Sequence, residues 1–163
     1  MVDHITFVYG FNLMNAETLV KDVSADQMVE QPNGLVNHPA WSLGHLVVAA
    51  NSLGQVLGLT SNFPDGWDKT FATGGEPSAL VSDFPSKEEI LGALKEQHER
   101  NTEALKNIDP SSLAAPHPNE DMRSYFPTVG DMVVFLMTGH EMDHLGQIAA
   151  WRRAMGLGPA GRS

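Results

Sequence analysis

Two histidines four residues apart are the strongest constraint on how this chain can fold. His140 and His144 stand in Gly139-His140-Glu141-Met142-Asp143-His144-Leu145-Gly146-Gln147. The stretch has helical patterning, and at that spacing both rings leave one face of a helix, a turn apart. Val133, Met137, His140, His144, Gln147 and Trp151 follow alternating steps of four and three, which predicts the inward seam of a helix in a bundle. Both histidines then occupy positions that a bundle fills with Leu or Ile. A buried polar ring without a partner costs roughly 1–3 kcal/mol. One shared metal ion would satisfy both rings, with a third ligand from elsewhere in the fold.

The rest of the chain supplies helices for such a bundle. Phe7, Val8, Phe11, Leu13, Met14 and Leu19 predict a first helix from Thr6 to Asp22. Pro32, Gly34 and Pro39 mark a connection, and Asn37-His38-Pro39 suits a helix start. The second helix is expected from Ala40 to Leu59. It carries a stripe of Trp41, His45, Val48, Ser52 and Val56 beside a broader face of Leu43, Leu46, Val47, Ala50 and Leu57. A helix apolar nearly all round is buried on more than one side, and its extra face suggests a dimer interface. Thr60 to Pro85 is a long connection without periodicity, expected as a crossover between parallel helices or a functional loop. Ser86-Lys87-Glu88-Glu89 is a capping box that opens a third helix to Ile108, with a seam of Leu91, Leu94, His98, Asn101, Leu105 and Ile108. Pro110, Pro116, Pro118 and Pro127 break the chain again. Thr128 caps a fourth helix to Met155, stopped by Gly156 and Gly158. The expectation is one all-α domain over residues 1–163, without strands or repeats.

Composition narrows the chemistry. The chain has no cysteine, so a thiolate zinc site, a disulfide framework and a cysteine nucleophile are excluded. The net charge is −10, which speaks against a nucleic-acid surface built on clustered Lys and Arg. The one basic cluster is Arg152, Arg153 and Arg162. Its first two members are expected to complement the negative end of a helix dipole. Met1-Val2-Asp3-His4 lacks the basic region of a signal peptide, and no apolar run approaches the roughly 20 residues of a membrane span. A cytoplasmic protein with no membrane contact is the expectation.

His140 to His144 also matches H-E-x-x-H, the helical zinc motif in which the Glu is a general base. Those proteases take a third ligand downstream. No residue after His144 is His, Asp or Glu, so the third ligand is expected upstream. The candidates are His45, His98, His4, His38 and His117. His45 sits mid-helix between Leu43 and Leu46, and Gly44 beside it leaves room for a close approach. Three histidines would leave a position open, as in catalytic zinc sites; imidazole alone also suits nickel, iron or copper. Taken singly, His98 is expected as a hydrogen-bonded core residue, with a pocket role behind it, and His4, His38 and His117 as surface residues. Glu141 points about 100° away from His140 on a helix, so no base role is assigned to it. Asp143 is expected to be solvated.

With these residues in view, the chain resembles the DinB/YfiT-like superfamily. Trp41-Ser42-Leu43-Gly44-His45-Leu46 matches the W-x-x-G-H-L-like stretch of that family, and His140 to Gln147 matches its H-x-x-x-H-x-G-Q. The resemblance implies a four-helix bundle in an up-down-down-up arrangement. It implies a divalent metal, zinc or nickel, on three histidines that fall on His45, His140 and His144. It also implies a homodimer. Gln147 matches the family's Gln, and with His98 and Trp41 it is expected around the pocket. Some relatives are transferases or isomerases that use a low-molecular-weight thiol, and others are described as metal-dependent hydrolases. The expected function is a metal-dependent enzyme in which the ion activates a thiol or water toward a small-molecule substrate. The alternative is a non-catalytic metal-binding or sensor bundle, marked by a fourth protein ligand such as His98. A bundle without metal is the third possibility, and there His140→Leu would stabilise the fold.

Overall fold

The structure is a computed structural model and describes residues 2–161; Met1, Arg162 and Ser163 lie outside the described residues. Four long helices dominate it. We label them α1 (Val2–Val20), α2 (Pro39–Val56), α3 (Lys87–Asn107) and α4. Helix α4 spans residues 129–154 in three segments: α-helical Val129–Val134, a π-helix at Phe135–Gly139, and α-helical His140–Ala154. Among the described residues there is no β-strand, only an isolated bridge between Pro116 and Thr128. The fold is all-α, and no described helix is long and apolar enough to cross a membrane.

The helix starts follow from local chemistry. The Ser86 hydroxyl accepts from the Glu89 amide, and the Glu89 carboxylate accepts from the Ser86 amide at 2.8 Å, which satisfies two otherwise orphaned donors. Thr128 and Asp131 repeat the arrangement at the start of α4. At α2 the cap is a histidine: Nδ1 of His38 accepts from the Trp41 amide at 3.2 Å, with Pro39 in the first turn. Helix α1 begins four residues before the expected Thr6.

Side-chain bridges fix the topology. Lys87 at the start of α3 donates to the carbonyls of Val20 and Val23, and Tyr9 meets His98 and Asn101 further along, so α1 and α3 are antiparallel. Asn12 meets Met137 and Thr138 while Leu19 meets Arg152, so α1 and α4 are parallel. Asn37 meets Gln147 while His45 meets His140, so α2 and α4 are antiparallel. The order is up-down-down-up. Helix α2 packs on α3 and α4, and α1 packs on the same two. The diagonals of the bundle are therefore α1–α2 and α3–α4.

Helix α2 is buried from Pro39 to Val47 without a break. The long connection packs on its apolar face, with a one-turn helix at Trp67–Thr70 and buried Trp67 and Phe71 in the same core as Leu43, Leu46 and Val47. Arg152 departs from expectation. It is buried and reaches beyond its own helix end, donating to the carbonyl of Leu19 at 2.7 Å and to both oxygens of Asp22. The guanidinium thus serves the last turn of α1, whose carbonyls lack intrahelical partners.

Candidate metal centre

One turn of α4 and the middle of α2 bring three histidines together. One nitrogen from each of His45, His140 and His144 lies within 4.8 Å of the others. Ring centroids are 5.3 Å apart for His45 and His140, 4.9 Å for His45 and His144, and 4.8 Å for His140 and His144. His45 and His144 are buried and His140 is half-buried. Nδ1 of His140 and of His144 is buried without a hydrogen-bond partner. These are imidazoles at a separation one cation can bridge, so the cluster can hold a metal ion.

His45 is oriented from outside its helix. Its Nδ1 lies 2.9 Å from the carbonyl of Phe71. A carbonyl only accepts, so Nδ1 carries the proton and Nε2 keeps a free lone pair. The carbonyl arrives there because the Phe71 ring lies against Gly44, where any Cβ would overlap it. Gly44 is thus the residue whose missing side chain admits the loop that holds its neighbour's ring. Such a hydrogen bond to the outer nitrogen is the usual support of a metal-binding histidine. Trp41, one turn earlier, stacks on His45 with rings 5.0 Å apart and 6° from parallel. On the other side, the Phe135 ring is 5.6 Å from His140, with Phe126 a further 5.2 Å beyond.

Burial and mutual repulsion set the protonation of the cluster. Burial first, then the neighbouring charge of His45, pushes His140 down to about 4. His144 falls to about 4 by burial first and then by His140 and His45. Both rings are therefore neutral near pH 7, the form that donates a lone pair to a metal.

The remaining histidines do not join them. His98 is buried on α3 as expected, but its partner was not foreseen: Nε2 donates to Glu141 Oε1 at 2.7 Å, with both side chains 4% exposed. Glu141, given no role from sequence, faces the bundle axis. The core line of this segment is Glu141, Leu145, Ile148 and Arg152, all buried, while His140 and Gln147 are half-buried along the edge toward α2. The 100° between neighbouring residues that discounts Glu141 as a base is what turns it inward. Burial holds its carboxyl above the usual range against the His98 hydrogen bond.

His38 and His117 are buried, against the expectation of surface roles. His38 caps α2 and bonds the carbonyl of Ser78 at 2.9 Å, which pins the long connection. His117 lies beside Met132 and accepts from the Asn119 amide. His4 is exposed, as expected. Gln147 accepts from Asn37 at 3.0 Å and donates to the exposed Asp143 at 3.4 Å, one turn past His144. The one signal in the sequence for the loop that supports His45 is Gly44 itself; nothing local marks Phe71 as its partner.

A protein-family model described as the DinB superfamily matches residues 10–148. That span takes in Trp41, His45, His98, His140, His144 and Gln147. No curated protein matches the chain.

Proposed function

Because the chain belongs to the DinB superfamily, we propose that it is a metal-dependent enzyme acting on a small molecule, with His45, His140 and His144 as ligands of a divalent zinc or nickel ion. The observation that carries this reading is the trio itself, three imidazoles on two helices with ligand atoms within 4.8 Å of one another. A bound divalent ion supplies Lewis acidity, which favours the deprotonated form of a thiol or of water. The chain's own residues prepare the place. The Phe71 carbonyl holds the His45 ring in one tautomer. Trp41 closes one side against water, and Phe135 and Phe126 offer an aromatic wall on the other, suited to a substrate with an apolar body.

A specific observation favours the enzyme over the metal-binding sensor bundle. His98, the natural fourth ligand, is already bonded to Glu141, and among the described residues no carboxylate completes the cluster. A position left for an exogenous ligand is the mark of catalytic rather than structural zinc sites. The reaction we propose is transfer to or from a low-molecular-weight thiol, or hydrolysis, in the cytoplasm.

The test is metal content by mass spectrometry on untagged protein, wild type beside His45→Ala. About one ion per chain in the wild type and little in the variant is the expected result. A wild type that is empty and cannot be loaded with zinc or nickel overturns the proposal.

A further inference from the structure

We propose that the buried His98–Glu141 pair, with Asn12, positions the metal ligands by fixing the rotation of α4. This rests on the metal reading above and deepens it. The pair crosses the α3–α4 diagonal of the bundle, where the two helices approach each other less than they approach α1 and α2. The His98 ring lies flat on Tyr9 of α1, with centroids 3.5 Å apart and planes 10° from parallel. One acceptor on α4 is thereby tied to a ring clamped between α1 and α3. Asn12 of α1 donates to the carbonyls of Met137 and Thr138, at 3.4 Å each. Those carbonyls belong to the π-helix that immediately precedes His140. The turn that carries His140 is held through the backbone just before it and from its core side.

Magnitudes show why a directional anchor matters. A ligand nitrogen sits on the order of 6 Å from its helix axis, so a rotation of about 20° moves it about 2 Å. Metal–ligand distances tolerate about 0.2 Å. Apolar contacts are non-directional and would hold α4 at the right depth without fixing its rotation. A hydrogen bond of 2.7 Å between two buried groups does fix it. The π-helix makes that restraint necessary, because it sets the phase of His140–Ala154 relative to Val129–Val134 through a segment with weaker local geometry. A buried polar pair is often replaceable by apolar residues without loss of stability. Its use here is registry.

The experiment separates stability from metal binding. The double variant His98→Leu/Glu141→Leu is expected to melt at or above the wild-type temperature, yet to bind zinc or nickel about 10–100-fold more weakly, as when support of a ligand is lost. Its cobalt-loaded form is expected to show a shifted, broadened visible spectrum. Glu141→Gln, which still accepts from His98, is expected to stay within about threefold of wild type. Asn12→Ala, a residue that touches none of the three histidines, is expected to weaken binding about tenfold and provides the test if the double variant does not fold. Wild-type affinity and an unchanged cobalt spectrum in either folded variant overturn the proposal. A wild type that takes up no metal overturns the metal reading and this inference with it, a result distinct from a variant that merely matches the wild type.

Discussion

One turn of α4 carries two polar clusters that differ in what completes them. Toward the axis, Glu141 meets His98, one donor supplied by α3, with Tyr9 stacked on the ring, while His98 Nδ1 and Glu141 Oε2 stay without a partner among the described residues. Toward α2, His140 and His144 meet another histidine, and their buried Nδ1 atoms have no partner in the protein. Both clusters lie in the same bundle, and Glu141 directly follows His140 in sequence. The difference teaches how to tell a polar group used to build from one used to bind. A building group finds at least one complement within the chain, as Glu141 does in His98, whereas a binding group faces its own kind and needs something from outside.

The contrast is open to attack, most strongly through the support of His45. Gly44→Ala drives a Cβ into the Phe71 ring. Overpacking of this kind costs about 1–3 kcal/mol, which for a chain of this size lowers the melting temperature by about 2–12 °C. Displacing the Phe71 carbonyl is also expected to reduce zinc affinity about tenfold. A thermal melt and a zinc titration on one sample check both. Unchanged affinity would mean that the ring of His45 is held by α2 alone.

A comparable effect on stability is expected from pH. His140 and His144 titrate at about 4 in the folded chain and near 6.5 when unfolded. Between those values the unfolded chain binds protons that the folded chain refuses, so stability falls as pH drops through that window. Above about 6.5 the two rings contribute no slope. Urea midpoints of the metal-free protein at about pH 7 and about pH 5 measure it, and His140→Gln should flatten the difference. A midpoint indifferent to pH in the wild type would show that the rings are more solvated than their burial implies. The smallest effect is expected from Asp143→Asn. That carboxylate is exposed and receives only the 3.4 Å contact from Gln147, and exposed charges contribute little. Metal affinity within about threefold of wild type is the expectation in a competition titration; a larger loss would place a carboxylate among the groups that complete the cluster.

Much of this was legible in the chain. The two capping boxes or caps at Ser86 and Thr128 start their helices where they were read, because a cap depends on residues within one turn. The four helices, the bundle and the meeting of His45 with His140 and His144 follow from spacing and from the family motifs. The phase of α4 did not. Periodicity counted across Phe135–Gly139 assumes an unbroken 3.6-residue turn, and the π-helix breaks it. The expected seam of Val133, Met137, His140, His144, Gln147 and Trp151 therefore holds for four buried members but includes half-buried His140 and Gln147 and leaves out Glu141, Leu145 and Ile148, which line the core. His38 and His117 were misjudged for another reason: a buried histidine beside prolines and turns bonds to backbone that only the folded loops bring near.

The Phe71 carbonyl over His45 has a consequence for the order in which the molecule assembles. Bringing His45 to Phe71 closes a segment of 26 residues, while bringing Asn12 to Met137 closes one of 125. By loop-closure entropy the longer closure costs about 1.4 kcal/mol more, and distant contacts form late. Chain entropy therefore favours a sequence of events in which α2 gains its cover first. His45 then has its tautomer chosen and its lone pair aimed before α4 carries His140 and His144 into reach.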